Sequence, residues 1–459
     1  MLQARQIHPA HIACIFGGAV AGSETAHQLA QRGIYSVVFD QEALPYGKIE
    51  HGLPKWHIKL RDKEERQIDE KLCSPYVTYV PHCKLGREIS FEEVQRFGFS
   101  AILLAVGAWR DRPLPVPGVD EFIGRGFYYQ NPYVMWFNQY HSPRYQGEQC
   151  EMHDNGIVVG GGLASIDVVK ILMLETTLCA LKERGLEANL FRLEKKGIPF
   201  VLKELGVSWQ ELGLKGCTLY YRRRNLDMPL NEVPSGIPPE RAEKMKLVRQ
   251  KLIRTAQAKY LFHFCPCSVP LKPILEEGRM AGLAFRKTEV RNGKATALEG
   301  SEFEVRSPLT ISSIGSLPEP LEGLPMKWNL LDVESEETGK LAGFENVFAL
   351  GNTVTGRGNI RASLLHGRQV SGHLMENFLA WSEQDYQKLM RMGSDQAARK
   401  AERIADFLKQ KHLQAPDQIE HILGRVKDLQ RQSGYQGDYA AWAQKNAFTR
   451  LEHLIGYEG

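Results

Sequence analysis

The sequence predicts an α/β chain of two Rossmann-like dinucleotide-binding domains, the second inserted in the first, followed by a C-terminal helical extension. Three observations carry this. A strand, a glycine turn and a helix occur in that order twice, around Gly17 and around Gly160. Apolar runs that stop at glycine return late in the chain, at Leu309–Gly315 and Val347–Gly351. Beyond about residue 381 the texture becomes charged, glutamine-rich and helical in period. The expected domains are 1–119 together with 316–380, then 120–315 as the insert, and 381–459 as the extension.

Bulk properties narrow the class. A chain of 459 residues is too long for one core. Its 43% hydrophobic and 24% charged content is that of a globular protein. A formal charge of +4 gives no reason to expect nucleic acid, and no apolar run is long enough to expect a membrane span. The residues before Ile12 lack an apolar core, so no signal peptide is expected, and the eight scattered cysteines suit a reducing cytoplasm. Cys265 and Cys267 sit one residue apart at the end of Tyr260–Phe264, which reads as a strand. A metal or redox pair is one reading, and a packed structural pair is the favoured one; no metal is expected.

The first unit begins with Ile12–Phe16, an apolar run that reads as a buried parallel strand. Gly17-Gly18-Ala19-Val20-Ala21-Gly22 follows, then a helical pattern over Glu24–Gln31 and a second strand, Tyr35–Phe39, that ends in Asp40. Gly17 makes the turn and Gly22 lets helix and strand pack. The helix N-terminus faces a pyrophosphate, and an acid about 20 residues on grips a ribose hydroxyl. Ala19 stands where the motif has its middle glycine. The second unit repeats the grammar: Gly156–Val159, the turn Gly160-Gly161-Gly162-Leu163-Ala164-Ser165, and an apolar helix over Ile166–Leu174. Its next strand, Thr218–Tyr221, comes after a polar helical insert and ends in Arg222-Arg223-Arg224 instead of a carboxylate. Guanidinium forks there suit the 2′-phosphate of NADP over NAD. Two such units imply two dinucleotides, and a flavin with a hydride donor is the usual reason to keep both.

Between the units, Phe99–Ala108 reads as a strand, followed by the proline-rich Arg112–Gly118 where the chain leaves one domain. Val347–Gly351, with a helix expected over 362–379, closes the first domain. In the extension Ile419, Ile422, Leu423, Val426 and Leu429 form one apolar face, which reads either as packing on the body or as a homodimer contact.

Over about residues 10 to 380 the chain resembles the adrenodoxin reductases and related ferredoxin–NADP reductases, with the glutamate synthase small subunit as a cousin. The resemblance rests on Leu44–His57 (LPYGKIEHGLPKWH), on GGGLASIDVVKIL from Gly160, on YRRRN from Tyr221 and on SSIG at Ser312–Gly315. It implies that Ala21, Asp40, Lys48, Leu85, Asn352 and Gly358-Asn359-Ile360 line FAD. It implies that Gly161-Gly162-Leu163-Ala164, Arg223, Arg224 and Glu232 contact NADP(H), and that His57, the candidate catalytic residue, is a polar group beside the flavin. Asn352 stands where the family has an aromatic residue, and Leu163 where it has asparagine.

The function this implies is hydride transfer from NADPH to FAD, then electron delivery to a ferredoxin-like iron–sulfur protein. Two alternatives remain open: an NADPH-dependent flavoprotein feeding a partner enzyme subunit or a small molecule, and a non-enzymatic flavin-binding regulator. A basic rim from Lys55, His57, Lys59, Arg61 and Lys63, with Arg357 and Arg361, would steer an acidic ferredoxin.

Overall fold

A computed structural model describes residues 9–229, 239–291, 293–334, 337–351 and 383–457. The expectations at Glu232, Asn352, Arg357, Gly358-Asn359-Ile360 and Arg361, and the helix over 362–379, lie outside them.

The first sheet holds β1 (Ile12–Phe16), β2 (Tyr35–Phe39), β3 (Val77–Val80) and β4 (Ala101–Leu104). The second is built from β5 (Phe127–Tyr129), β6 (Ile157–Gly160), β7 (Thr218–Tyr220), β8 (His263–Cys265) and, after an excursion, β12 (Thr310–Ser313). The excursion is a three-stranded antiparallel sheet of β9 (Ser268–Glu276), β10 (Arg279–Arg291) and β11 (Lys294–Arg306). Last comes β13 (Val347–Ala349), which returns to the first sheet. The orders are β13-β4-β1-β2-β3 and β5-β12-β6-β7-β8, and both sheets are parallel throughout. Parallel strands covered on both faces need continuous apolar runs, which is what IACIF and IVVG supply. Where the chain crosses between the sheets, Arg110–Asp111 going out pairs antiparallel with Ser316–Leu317 coming back.

Helices α1 (Val20–Gln31) and α2 (Ile58–Leu72) pack on the first sheet, while α3 (Gln130–Gln139), α4 (Leu163–Glu183) and α5 (Pro239–Tyr260) serve the second. Because α5 runs to Tyr260, the strand expected at Tyr260–Phe264 begins only at His263. Apolar content alone did not separate the end of a long helix from a short edge strand. The sheet β9–β11 was not expected either.

The C-terminal helices are α6 (Glu383–Lys409), α7 (Pro416–Gln432), α8 (Tyr439–Lys445) and α9 (Leu451–Leu454). They cover both faces of the first sheet. Ile404, Ala405 and Leu408 of α6 join the core that holds Ile15 and Leu29. Ile422 and Val426 of α7 are buried in the opposite core with Ile12 and Phe16, and Ile419, Leu423 and Leu429 pack beside them. The apolar face read from the sequence is thus occupied within the chain. Among the described residues no helix is long and apolar enough to cross a membrane.

Candidate dinucleotide sites

The carboxyl ends of the first sheet open onto a cleft. It is lined by Gly17, Ala19, Ala21, Asp40, Lys48 and Leu85, together with Tyr46, Trp109 and, from the C-terminal extension, Met390 and Gly393. The cleft is open to solvent, and its lining runs from the glycine turn past Asp40 to Lys48 and Leu85. Gly22 lies beneath it: a Cβ there would collide with the backbone oxygen of Gly17. Ala19, the departure from the glycine pattern, faces Gly47, and a side chain at 47 would press on the Ala19 methyl. The glycine missing at 19 is in effect compensated at 47. Gly22→Ala should therefore disrupt the turn itself, costing on the order of 2–3 kcal/mol of stability and the ability to retain a nucleotide. A variant with unchanged melting temperature and full cofactor content would refute this.

Asp40 ends β2 inside the cleft and is 6% exposed. Its carboxylate accepts the Gly18 N–H at 2.8 Å and the Glu42 N–H at 3.0 Å. Burial nevertheless pushes its pKa up to about 7, those backbone N–H groups only partly opposing it. Lys48 reaches across to the junction between the sheets. Its ammonium donates to Asn131 Oδ1 at 3.1 Å and to Ser316 Oγ at 3.2 Å, and lies 5.7 Å from the Trp109 ring centroid. Burial lowers it to about 8, with Asp111 pulling the other way.

In the second unit two of the three turn glycines are constrained. A Cβ on Gly160 would meet the Ser313 carbonyl of the neighbouring strand, one on Gly161 would enter the Tyr221 ring, and Gly162, at the start of α4, faces open space. Leu163 and Ala164 form the first turn of α4. Arg223 and Arg224 follow β7. The Arg223 Nε donates to Tyr221 Oη at 3.0 Å, and Arg224 forks onto Asp227 with Nε–Oδ2 at 2.8 Å and Nη2–Oδ1 at 3.0 Å.

His57 caps α2 and is not among the residues lining the first cleft. Its Nε2 is 3.1 Å from Trp56 Nε1, which donates to it. Burial first, then the positive charge of Lys170, hold it down at about 3, so the ring is neutral at physiological pH. Trp56 in turn lies under the Lys170 ammonium, 4.4 Å from its ring centroid, and Lys170 pairs with Glu194 at 2.8 Å.

The basic rim needs correction. Lys55 is 1% exposed, with its ammonium 4.1 and 4.2 Å from the Phe137 and Tyr140 ring centroids and 4.0 Å from Glu175. Arg61 is also 1% exposed and paired with Glu50. The segment is a loop entering a helix, so alternation in sequence does not place these cations on one surface; Lys59 remains outside, beside the acid Asp62. As for the cysteine pair, Lys287 Nζ donates to Cys265 Sγ at 3.6 Å.

The residues that join the two units were not foreseen. Arg450 Nη2 donates to both carboxylate oxygens of Glu65, at 2.7 and 2.6 Å, and lies 3.2 Å from Glu50, which also holds Arg61. Beside it, Phe448 packs edge-on against His51, His141 Nε2 meets Thr449 O at 3.1 Å, and Tyr457 stacks on Phe191 at 4.7 Å. A conserved-looking motif could not have revealed this cluster, because its members are isolated charges far apart in sequence.

No family model matches the chain. It is 25% identical over 360 residues to NADPH:adrenodoxin oxidoreductase of Arabidopsis thaliana, covering 69% of this chain and 70% of that protein. It is 22% identical over 405 residues to the NADPH-ferredoxin reductase FprA of Mycobacterium leprae, covering 83% and 85%. Among the curated proteins similar to it are thus NADPH-dependent reductases of the adrenodoxin and ferredoxin type, and glutamate synthase small chains. The fold agrees: Mycobacterium tuberculosis FprA in complex with NADPH superposes with a TM-score of 0.65 at 16% identity, covering 92% of this chain and 91% of that one. A second FprA structure, carrying a covalent modification of NADP+, gives a TM-score of 0.68 over 98% and 96%. With these relatives, the α/β architecture of two dinucleotide-binding units is the one the chain adopts.

Proposed function

We propose that the chain is an NADPH-dependent FAD oxidoreductase that delivers electrons to a ferredoxin-like iron–sulfur protein. The observation that carries this is the convergence of Gly17, Ala19, Ala21, Asp40, Lys48 and Leu85 on one cleft, with a second glycine turn at Gly160–Gly162 and paired arginines after the next strand of that unit. In this reading residues 1–119 with 316–380 hold FAD, 120–315 hold NADP(H), and 381–459 brace the first unit. Bound there, a flavin accepts hydride from NADPH and can release electrons singly to a metal cluster. The chain's own part is binding and charge. The Gly17–Gly22 turn and the N-terminus of α1 receive a pyrophosphate, Asp40 a ribose hydroxyl, and Arg223 with Arg224 the 2′-phosphate. Lys48, a cation in the cleft wall, favours negative charge near it. His57 is neutral and accepts the Trp56 indole N–H, so it carries no imidazolium proton near neutral pH.

Stopped-flow mixing tests the reading. NADPH should bleach a bound FAD far faster than NADH does, and the reduced protein should then reduce an added ferredoxin. Absence of bleaching would leave only a flavin-binding regulator. Bleaching with transfer to a small acceptor but not to ferredoxin would favour an electron-input subunit or a small-molecule reductase. The burial of Lys55 and Arg61, which thins the basic rim, speaks for that second reading.

A further inference from the structure

Tyr221 is the last residue before the arginines, and its side chain is buried, 6% exposed. Its ring lies against the second glycine turn so closely that no side chain fits at Gly161. Its hydroxyl does two things at once. It accepts the Arg223 Nε–H at 3.0 Å, and it donates to the Asp227 carbonyl at 2.8 Å. Asp227 is the residue whose carboxylate grips Arg224 through two parallel hydrogen bonds. Burial raises the phenol above its ordinary value, so it stays protonated and keeps both roles at any physiological pH.

We infer that Tyr221 is a positioning residue for nucleotide selectivity: its single hydroxyl sets Arg223 directly and Arg224 through the Asp227 turn, while its ring fixes both against the glycine turn. The inference rests on the reading of Arg223 and Arg224 as the 2′-phosphate site. A guanidinium on a flexible stem loses rotamer freedom whenever it binds an anion, and an anchor at Nε removes part of that loss before the ligand arrives. Arg223 is held at Nε by the phenol, while its Nη1 lies 3.5 Å from the Gly293 carbonyl, a long contact that a phosphate can displace. The glycine turn and the arginines are also brought into fixed relation, because one ring touches the first and its hydroxyl the second. Phosphate geometry and diphosphate geometry are thereby set by the same side chain.

Tyr221→Phe separates these parts, since it keeps the ring under Gly161 and removes only the hydroxyl. The FAD-loaded protein would be titrated with 2′,5′-ADP and with 5′-AMP, which report the adenosine end without any hydride transfer. Tyr221→Phe should weaken 2′,5′-ADP by about 3- to 10-fold and leave 5′-AMP unchanged. Arg223→Ala should weaken 2′,5′-ADP by about tenfold or more. In the Tyr221→Phe/Arg223→Ala double variant the tyrosine change should add little, because its main partner is gone. Arg223→Lys, which leaves the glycine turn untouched but cannot present an Nε–H to the phenol, should lose at least as much as Tyr221→Phe.

An equal loss for both nucleotides in Tyr221→Phe, no loss for either, or a full additional loss in the Arg223→Ala background would overturn the inference. If Arg223→Ala removes the preference while Tyr221→Phe does not, the positioning role fails and the NADP reading stands. If Arg223→Ala also leaves the preference intact, both fail together.

Discussion

Asp40→Asn should release FAD and at the same time make the cofactor-free protein more stable above neutral pH. The native carboxyl is held up at about 7 by burial, against an ordinary value of 3.8. Between those values the folded state keeps a proton that the unfolded chain has already lost. Stability therefore falls as pH rises through that window, and the full penalty is present above it. Asparagine carries no charge at any pH. Its amide nitrogen accepts no hydrogen bond, so one of the Gly18 and Glu42 N–H groups loses its partner, which returns part of the gain, and a net increase of about 1–3 kcal/mol at pH 8 is expected. Losing an ionised acceptor for the ribose should cost roughly 10- to 100-fold in FAD affinity. Urea unfolding of the stripped proteins between pH 4 and 8 checks the first part and flavin retention on dialysis the second. A native protein whose stability is flat over that range would contradict the argument.

Arg450→Ala should produce the largest loss of stability of any single change in the C-terminal extension. The guanidinium is 8% exposed and sits among Glu50, Glu65 and Glu452, of which Glu50 and Glu452 are 2% exposed. Deleting one partner of a buried ionic cluster leaves carboxylates that neither water nor another group can fully compensate, a loss of about 3–5 kcal/mol. Arg61 still serves Glu50, so Glu65 and Glu452 bear most of it. The expected readouts are a lower melting temperature and faster amide exchange over residues 446–457. Arg450→Lys should recover part of the loss, because it restores the charge but not the planar guanidinium that reaches Glu65 and Glu452 with different nitrogens. A variant that melts like the native protein would show that the cluster carries no net stability.

How much was readable in advance follows from where the information sits. The strand–glycine–helix order of both units and the places of Asp40 and the arginines at their strand ends were legible because these are local features of the chain: in the first unit strand, turn, helix and acid lie within one short stretch. The end of α5 was not, since a helix terminus and an edge strand share composition. Tyr221 appeared in the sequence only as the residue before the arginines, and its contact with Gly161 requires β6 and β7 to be neighbours. Lys55 and Arg61 were misplaced because charge was taken as exposure, whereas Phe137, Tyr140 and Glu175 arrive from the other unit to cover the first of them. The ion cluster around Arg450 depends on tertiary proximity throughout and has no local signature.

The strand order of the first sheet also sets a timetable for synthesis. β4 emerges from the ribosome early, yet its outer neighbour β13 is made only after the entire second unit. At ~5–20 residues per second the wait is on the order of 10–50 s. During it a fully apolar strand, Ala101–Leu104, presents an unpaired edge. The second unit must then acquire its own fold while tethered at one end only, since its return path through Ser316–Leu317 does not yet exist. The segment bearing Phe448, Arg450 and Tyr457 follows both units in the chain, so a junction already made by Lys48 with Asn131 and Ser316 and by Lys55 with Phe137 and Tyr140 gains further support only once that segment is made.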